Sequence, residues 1–198
     1  MIANPTVPAF RYDPYSKKLT RERYNHDEMR RIRDQAVQSA RESITSLASS
    51  LDPTELDLIA KPSGPVQQPQ LWGVILGTLG RQGSFKQLQA ITNQLSVSRV
   101  SIPYVPILLS EVSPAKLSLF SPHISTFVQT SCPRLSIDWG YAFARPLLSP
   151  YEANVVLGQA NGWTGEVTEG GAMKKTTYPM DFYQAGTPWA LSRLKGRF

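Results

Sequence analysis

From Leu71 to Leu76 the chain is apolar but for Gly73, and it then breaks at Gly77-Thr78-Leu79-Gly80-Arg81-Gln82-Gly83 before Ser84. A continuous run of that length, with Pro69 before it and glycines after it, predicts a strand covered on both faces, then a tight loop and a helix. Phe85, Leu88, Ile91 and Leu95 recur at helical spacing and predict a short amphipathic helix over 84–96. Val100 to Leu109 supplies a second apolar strand, which Pro103 and Pro106 shorten or place at a sheet edge. Pro114 opens a short helix ending near Phe120, and His123 to Gln129 predicts a third strand with Ser131 and Cys132 at its C-terminal end. Pro150, after Ser149, takes the first position of a further helix with Tyr151, Val155 and Val156 facing inward. Strands alternating with helices define the expected class, α/β with a parallel sheet flanked by helices.

Outside this alternation the pattern changes. Met29, Ile32, Ala36, Ala40, Ile44, Leu47 and Leu51 recur every three or four residues, so 26–50 reads as a helix with one apolar face, opened by Asn25 with Glu28 three positions on, a capping-box arrangement. Met1 to Pro5 reads as the end of a strand running into a Pro- and Tyr-rich loop. The Pro, Gln and Ser content of 52–70 marks a connection. The expected organisation is therefore 1–60 as the remnant of a preceding domain, 61–70 as linker, 71–158 as the α/β domain, and 159–198 as a mobile loop and aromatic tail. That tail packs back through Tyr178, Phe182 and Trp189. The 71–158 unit is expected to be the compact one, with 1–60 docked weakly.

Composition narrows the function classes. The 198 residues, 41% of them hydrophobic, suffice for one ordinary domain with extensions. No run approaches the roughly 20 apolar residues of a membrane span, and no signal peptide begins at Met1, so a cytoplasmic protein without a membrane partner is expected. The net charge of +6 comes largely from Lys17 to Arg33 and from the C-terminal end. A solvated helix face and a basic tail account for it, no zinc spacing or RNA-binding signature accompanies it, and direct nucleic-acid binding is not expected. A single cysteine excludes an internal disulfide and any self-contained cysteine cage for a metal.

Candidate chemistry gathers at the carboxyl ends of the predicted strands, where open parallel sheets bind ligands. The glycine loop leaves the first strand there, Glu111 follows the second and Cys132 follows the third. Gly77, Gly80 and Gly83 let backbone approach a ligand, and the helix opening at Ser84 offers free N–H groups to an anion, although the same pattern also serves a plain βα turn. Glu111 fits a ribose contact or a cap for the next helix equally well. Cys132 is on base rates a small buried hydrophobe. Its neighbours argue otherwise: Pro133 fixes the turn, Arg134 offers a cation that would favour the thiolate, and Arg134 and Asp138 together could brace the loop. A Cys–His pair is not expected, because His123 lies at the opposite end of the same strand.

Leu-Gly-Arg-Gln-Gly (79–83), Leu-Leu-Ser-Glu (108–111), Pro-Ala-Lys-Leu-Ser-Leu (114–119), Cys-Pro-Arg-Leu-Ser-Ile-Asp-Trp-Gly (132–140) and Pro-Leu-Leu-Ser-Pro-Tyr-Glu-Ala (146–153) closely resemble the last domain of diphthamide synthase first subunits. Ile2 to Pro5, Phe10 to Tyr15 and Tyr178 to Tyr183 extend the resemblance. It implies three related α/β domains, each giving one cysteine to a 4Fe-4S cluster, with Cys132 matching the cysteine of the third. It implies further that the 3-amino-3-carboxypropyl group of S-adenosylmethionine is transferred to a histidine of translation elongation factor 2. The implied partners are a second synthase subunit in a heterodimer and a small iron-binding electron donor. Gly80, Arg81, Gln82, Gly83 and Arg134 become candidates for holding S-adenosylmethionine, on charge and location. A chain with Cys132 alone cannot hold the cluster, so it reads as a fragment that is inactive by itself. A noncatalytic structural subunit and an unrelated nucleotide-binding module are the competing readings.

Overall fold

The computed structural model describes residues 7–51, 71–79, 83–163, 178–182, 185–187 and 189–190. Its centre is a four-stranded sheet of β3 (Leu71–Gly77), β4 (Tyr104–Leu109), β5 (Ile124–Gln129) and β6 (Leu147–Leu148), in the order β4-β3-β5-β6 and parallel throughout. A separate antiparallel hairpin, β1 (Ala9–Asp13) with β2 (Lys18–Glu22), precedes it. The helices are α1 (His26–Leu51), α2 (Phe85–Val97), α3 (Pro114–Ser118), α4 (Pro133–Trp139) and α5 (Pro150–Val156), with one 3₁₀ turn at Gly140–Ala142.

Alternation along the strands divides the core into two layers. Trp72, Val74, Val128 and Leu148 face a cluster that includes Leu88, Ile91 and Leu95 of α2, Met29, Val37 and Ala40 of α1, and Tyr151 and Val155 of α5. Ile75, Phe127 and Leu147 face the other way, onto Ile107, Leu117 and Ile124. Both faces of the sheet are thus covered, as the continuous apolar run of β3 requires. Pro106 sits in β4, which is an edge strand as its prolines predict. The tail returns to the core, with Tyr178, Phe182 and Trp189 all buried.

Several local expectations shift. Phe85 is 67% exposed, so the inward face of α2 begins at Leu88. The Asn25 side chain caps α1 by accepting from the Glu28 N–H at 3.1 Å, but the Glu28 carboxylate turns to Arg31 instead of completing a box. A full box opens α5 instead: the Glu152 N–H donates to Ser149 Oγ, and the Ser149 N–H donates to the Glu152 carboxylate at 2.8 Å.

The largest departure concerns α1. Its buried stripe runs through Met29, Arg33, Val37, Ala40 and Leu47, while Ile32, Ala36 and Ile44 are only half-buried. Weak docking does not fit this helix, which shares one core with the sheet and seats a fully buried Arg33 in it. The guanidinium donates to both carboxylate oxygens of Glu152 at 2.6 and 2.9 Å, and to the backbone carbonyls of Ser136 and Leu147 at 2.8 Å. Tyr178 donates to the same carboxylate at 2.9 Å. A buried ion pair is tolerated only when its polar atoms are matched in this way. Arg33 is therefore not part of a solvated basic face.

Candidate functional site

β3 starts the sheet, β4 pairs on one of its sides and β5 on the other. The chains leaving the carboxyl ends of β3 and β5 diverge, and this reversal of strand order is where parallel α/β sheets open a binding crevice. Gly77 ends β3 at that point and Ser131-Cys132 follows β5, so the described start of the glycine segment and the cysteine segment meet at the switch point. Glu111 leaves the same edge beyond β4, on the far side of β3, and its carboxylate is exposed and paired with Lys116 at 2.8 Å. The Lys116 ammonium holds its carboxyl below the usual range. Glu111 is thus a surface ion-pair residue outside the crevice.

Gly80, Arg81 and Gln82 lie outside the described residues, and Gly83 is described. A side chain at Gly77 would overlap the Ser131 hydroxyl, and one at Gly83 would overlap the Gly77 carbonyl. Both glycines therefore let the chain approach itself: the end of β3 presses against the cysteine loop, and the start of α2 folds over the end of β3. The Thr130 N–H and hydroxyl both donate to the Ile75 carbonyl at 3.0 Å, and the Thr78 N–H donates to the Leu109 carbonyl at 2.9 Å. These bonds extend the sheet's pairing into the crevice and fix its floor. Ser84 precedes α2 without capping it by its side chain, and no acidic residue occupies the first turn. Among the described residues, no carboxylate of its own first turn answers the positive end of this helix dipole.

Cys132 is partly buried, carries a free thiol and takes the N-cap position of α4, where its carbonyl accepts from the Leu135 N–H at 3.0 Å. Pro133 fills the first helical position, which spares an N–H and fixes the chain direction behind the thiol. Beneath the loop lies Gln129, fully buried. Its Oε1 accepts from the Ser131 N–H at 2.7 Å, and its Nε2 donates to the Cys132 carbonyl and to Ser136 Oγ, both at 3.0 Å. The role of Gln129 does not follow from the strand pattern that it ends; its sequence signal is a long polar side chain closing an apolar strand just before a candidate ligand.

Arg134 pairs with Asp138 one helical turn on, its Nε 2.5 Å from the carboxylate. Asp138 also accepts from the Tyr24 hydroxyl at 3.1 Å, and burial, then the Asp138 charge, push that phenol up to about 12. The pairing of Arg134 with Asp138 lies within α4, and the Tyr24–Asp138 bond ties that helix to the segment before α1. His123 lies at the far end of β5 from Cys132, and His26 packs edge-on against Tyr24. Neither histidine meets the thiol.

Among the described residues no group of three or more His, Cys, Asp or Glu could hold a metal ion, and the whole sequence has one cysteine. No helix among them is long and apolar enough to cross a membrane.

The fold and this site define a class, a doubly covered parallel α/β domain whose switch point carries a glycine turn and a partly exposed thiol. The family model of putative diphthamide synthesis proteins matches residues 65–168, more than half of the chain. The 2-(3-amino-3-carboxypropyl)histidine synthase subunit 1 of Gibberella zeae is 46% identical over 183 residues, covering 92% of this chain and 31% of the relative. The human protein of that name is 42% identical over 199 residues, a match that covers the whole of this chain and 36% of the human one. A crystal structure of Dph2 from Pyrococcus horikoshii superposes with a TM-score of 0.52 at 19% identity, over 79% of this chain and 36% of that one, which shows a shared fold. The chain belongs to the diphthamide synthesis protein family, and it spans about a third of the length of the curated relatives it matches.

Proposed function

We propose that this chain supplies one corner of an iron–sulfur transferase that makes 2-(3-amino-3-carboxypropyl)histidine, the first step of diphthamide formation on translation elongation factor 2. The observation that carries the reading is the single thiol held at the switch-point crevice of a chain whose family membership is established. The residues fit a 4Fe-4S cluster at one position only. Cys132 offers a soft sulfur ligand of the kind such clusters require, and the remaining sulfurs must come from polypeptide beyond this chain. When bound and reduced, the cluster would supply the electron that cleaves a Cγ–S bond of S-adenosylmethionine.

The chain's own residues have separate tasks in this reading. Cys132 holds iron at the crevice mouth. Gly77 and Gly83 keep the β3 turn tight against the cysteine loop. The uncapped start of α2, with Arg81 and Gln82 of the preceding loop, receives the methionine carboxylate, where N–H groups and the helix dipole favour an anion. Arg134 has its charge largely answered by Asp138. Its part is to hold α4, and with it Cys132, in place beside the co-substrate. A second synthase subunit and a small iron-binding electron donor complete the assembly, which is cytoplasmic.

Anaerobic isolation of the native assembly containing this chain, followed by iron, acid-labile sulfide and visible absorption measurements, tests the proposal. Iron and sulfide should copurify, and the Cys132→Ser chain should lose iron, because serine is nearly isosteric but a poor soft donor. An assembly free of iron and sulfide, or full iron retention by Cys132→Ser, would overturn it.

A further inference from the structure

We infer that Gln129 is the positioning residue for Cys132, acting as a two-armed clamp that sets where the thiol stands in the crevice. Its amide faces two kinds of group that leave no freedom in its orientation. The Ser131 N–H can only donate, so Oε1 must face it; the Cys132 carbonyl can only accept, so Nε2 must face that. One amide thus holds the backbone on both sides of the Ser131–Cys132 peptide. The second Nε2 proton goes to Ser136 Oγ, inside α4 and buried. The carbonyl of that same Ser136 accepts from Arg33. The clamp therefore stands on the buried Arg33–Glu152 pair, and the cysteine loop is anchored through α4 to α1 and α5.

No shorter residue reaches both arms, and no other residue type of this length has donor and acceptor on one planar head. A glutamate would keep the acceptor for Ser131 but set an oxygen against the Cys132 carbonyl. A leucine would keep the volume and lose both arms. Gln129 does not itself touch the crevice mouth; it acts through the backbone of Cys132. The importance of that position rests on Cys132 being the iron ligand, whereas the test does not.

Because Cys132 is the sole cysteine of the 198-residue chain, iodoacetamide alkylation reads this one thiol. Its rate as a function of pH should be measured for the unaltered chain, Gln129→Leu, Gln129→Glu, and Ser43→Ala as a control that removes the acceptor of the buried Trp72 indole N–H near the opposite end of β3. With two or three hydrogen bonds lost, the loop should open more often and the alkylation rate should rise about three- to tenfold in both Gln129 variants. Ser43→Ala should stay within about twofold of the unaltered chain even where its melting temperature falls. Hydrogen exchange on the unaltered chain adds a reading that needs no variant, in which the Ser131 amide should be slower than an open-loop amide. Unchanged alkylation in folded Gln129→Glu, an equal rise in Ser43→Ala, or an unprotected Ser131 amide would overturn the clamp. None of these outcomes touches the iron assay, so the two readings fail separately.

Discussion

A methyl group on Gly77 would occupy the space of the Ser131 hydroxyl, one residue before Cys132. Rotation about χ1 can swing the hydroxyl aside, but the Ser131 Cβ stays 3.0 Å from the added methyl on a loop clamped from below, so the backbone must give as well. Gly77→Ala is therefore expected to cost about 1–3 kcal/mol, the usual range for inserting a methyl where packing is closed. Urea unfolding measures that cost, and cysteine alkylation should shift in the same variant because the displaced residue adjoins the thiol. Gly158, with φ of +70° and nothing within reach of an added Cβ, makes the contrast: Gly158→Ala strains the backbone alone and should leave the alkylation rate unchanged. The glycine loop was legible in sequence as a place of close approach. What approached was not, because spacing records that room is needed and not which neighbour needs it.

At the scale of elements, the strands and most helices followed from runs and periodicities, and the misses share one cause. Arg33 lies among Arg30, Arg31 and other cations, so its charge reads as solvated until the structure shows Glu152, 119 residues on, opposite it. Helical period alone admits the stripe through Ile32 and Ala36 as readily as the neighbouring one through Arg33 and Val37, and long-range pairing chooses between them. Removing only the cation leaves the buried Glu152 carboxylate without its counter-charge and the Ser136 and Leu147 carbonyls without that donor, so Arg33→Met should lower the unfolding free energy by about 3–5 kcal/mol. Ile32→Ala, at a half-buried position, should cost much less in the same urea series; similar losses would return α1 to the stripe read from apolar residues. The Ser149-Pro150-Tyr151-Glu152 box was open to sequence reading in full, since Ser and Glu stand three apart before an apolar run. Ser149→Ala should cost about 0.5–2 kcal/mol, the range for losing an N-cap side chain.

Across the whole molecule the aromatic groups tie the tail and the segment before α1 to the sheet, and they do so with phenols that must stay protonated. Tyr178 is fully buried against the Glu152 carboxylate, so burial and that charge raise its pKa well above the ordinary value. Tyr151 is raised too, by burial first and then by Glu152. Tyr24, bonded to Asp138, is pushed up to about 12. In the unfolded chain these phenols ionise near 10. Between about pH 10 and 12 the folded state therefore binds more protons than the unfolded state, and stability falls as pH rises. The contribution is complete below the unfolded pKa and is lost on passing through the folded one. Urea unfolding from pH 9 to 11.5 should show a steepening loss of stability, set by Tyr24, Tyr151 and Tyr178 together with lysine deprotonation. Tyr24→Phe removes one titrating group without exposing the core. Its stability should start lower at pH 9, where the Asp138 bond is missing, and decline less steeply with pH. A parallel decline in the two proteins would mean that Tyr24 ionises equally in both states and that its bond to Asp138 does not tie α4 to the segment before α1.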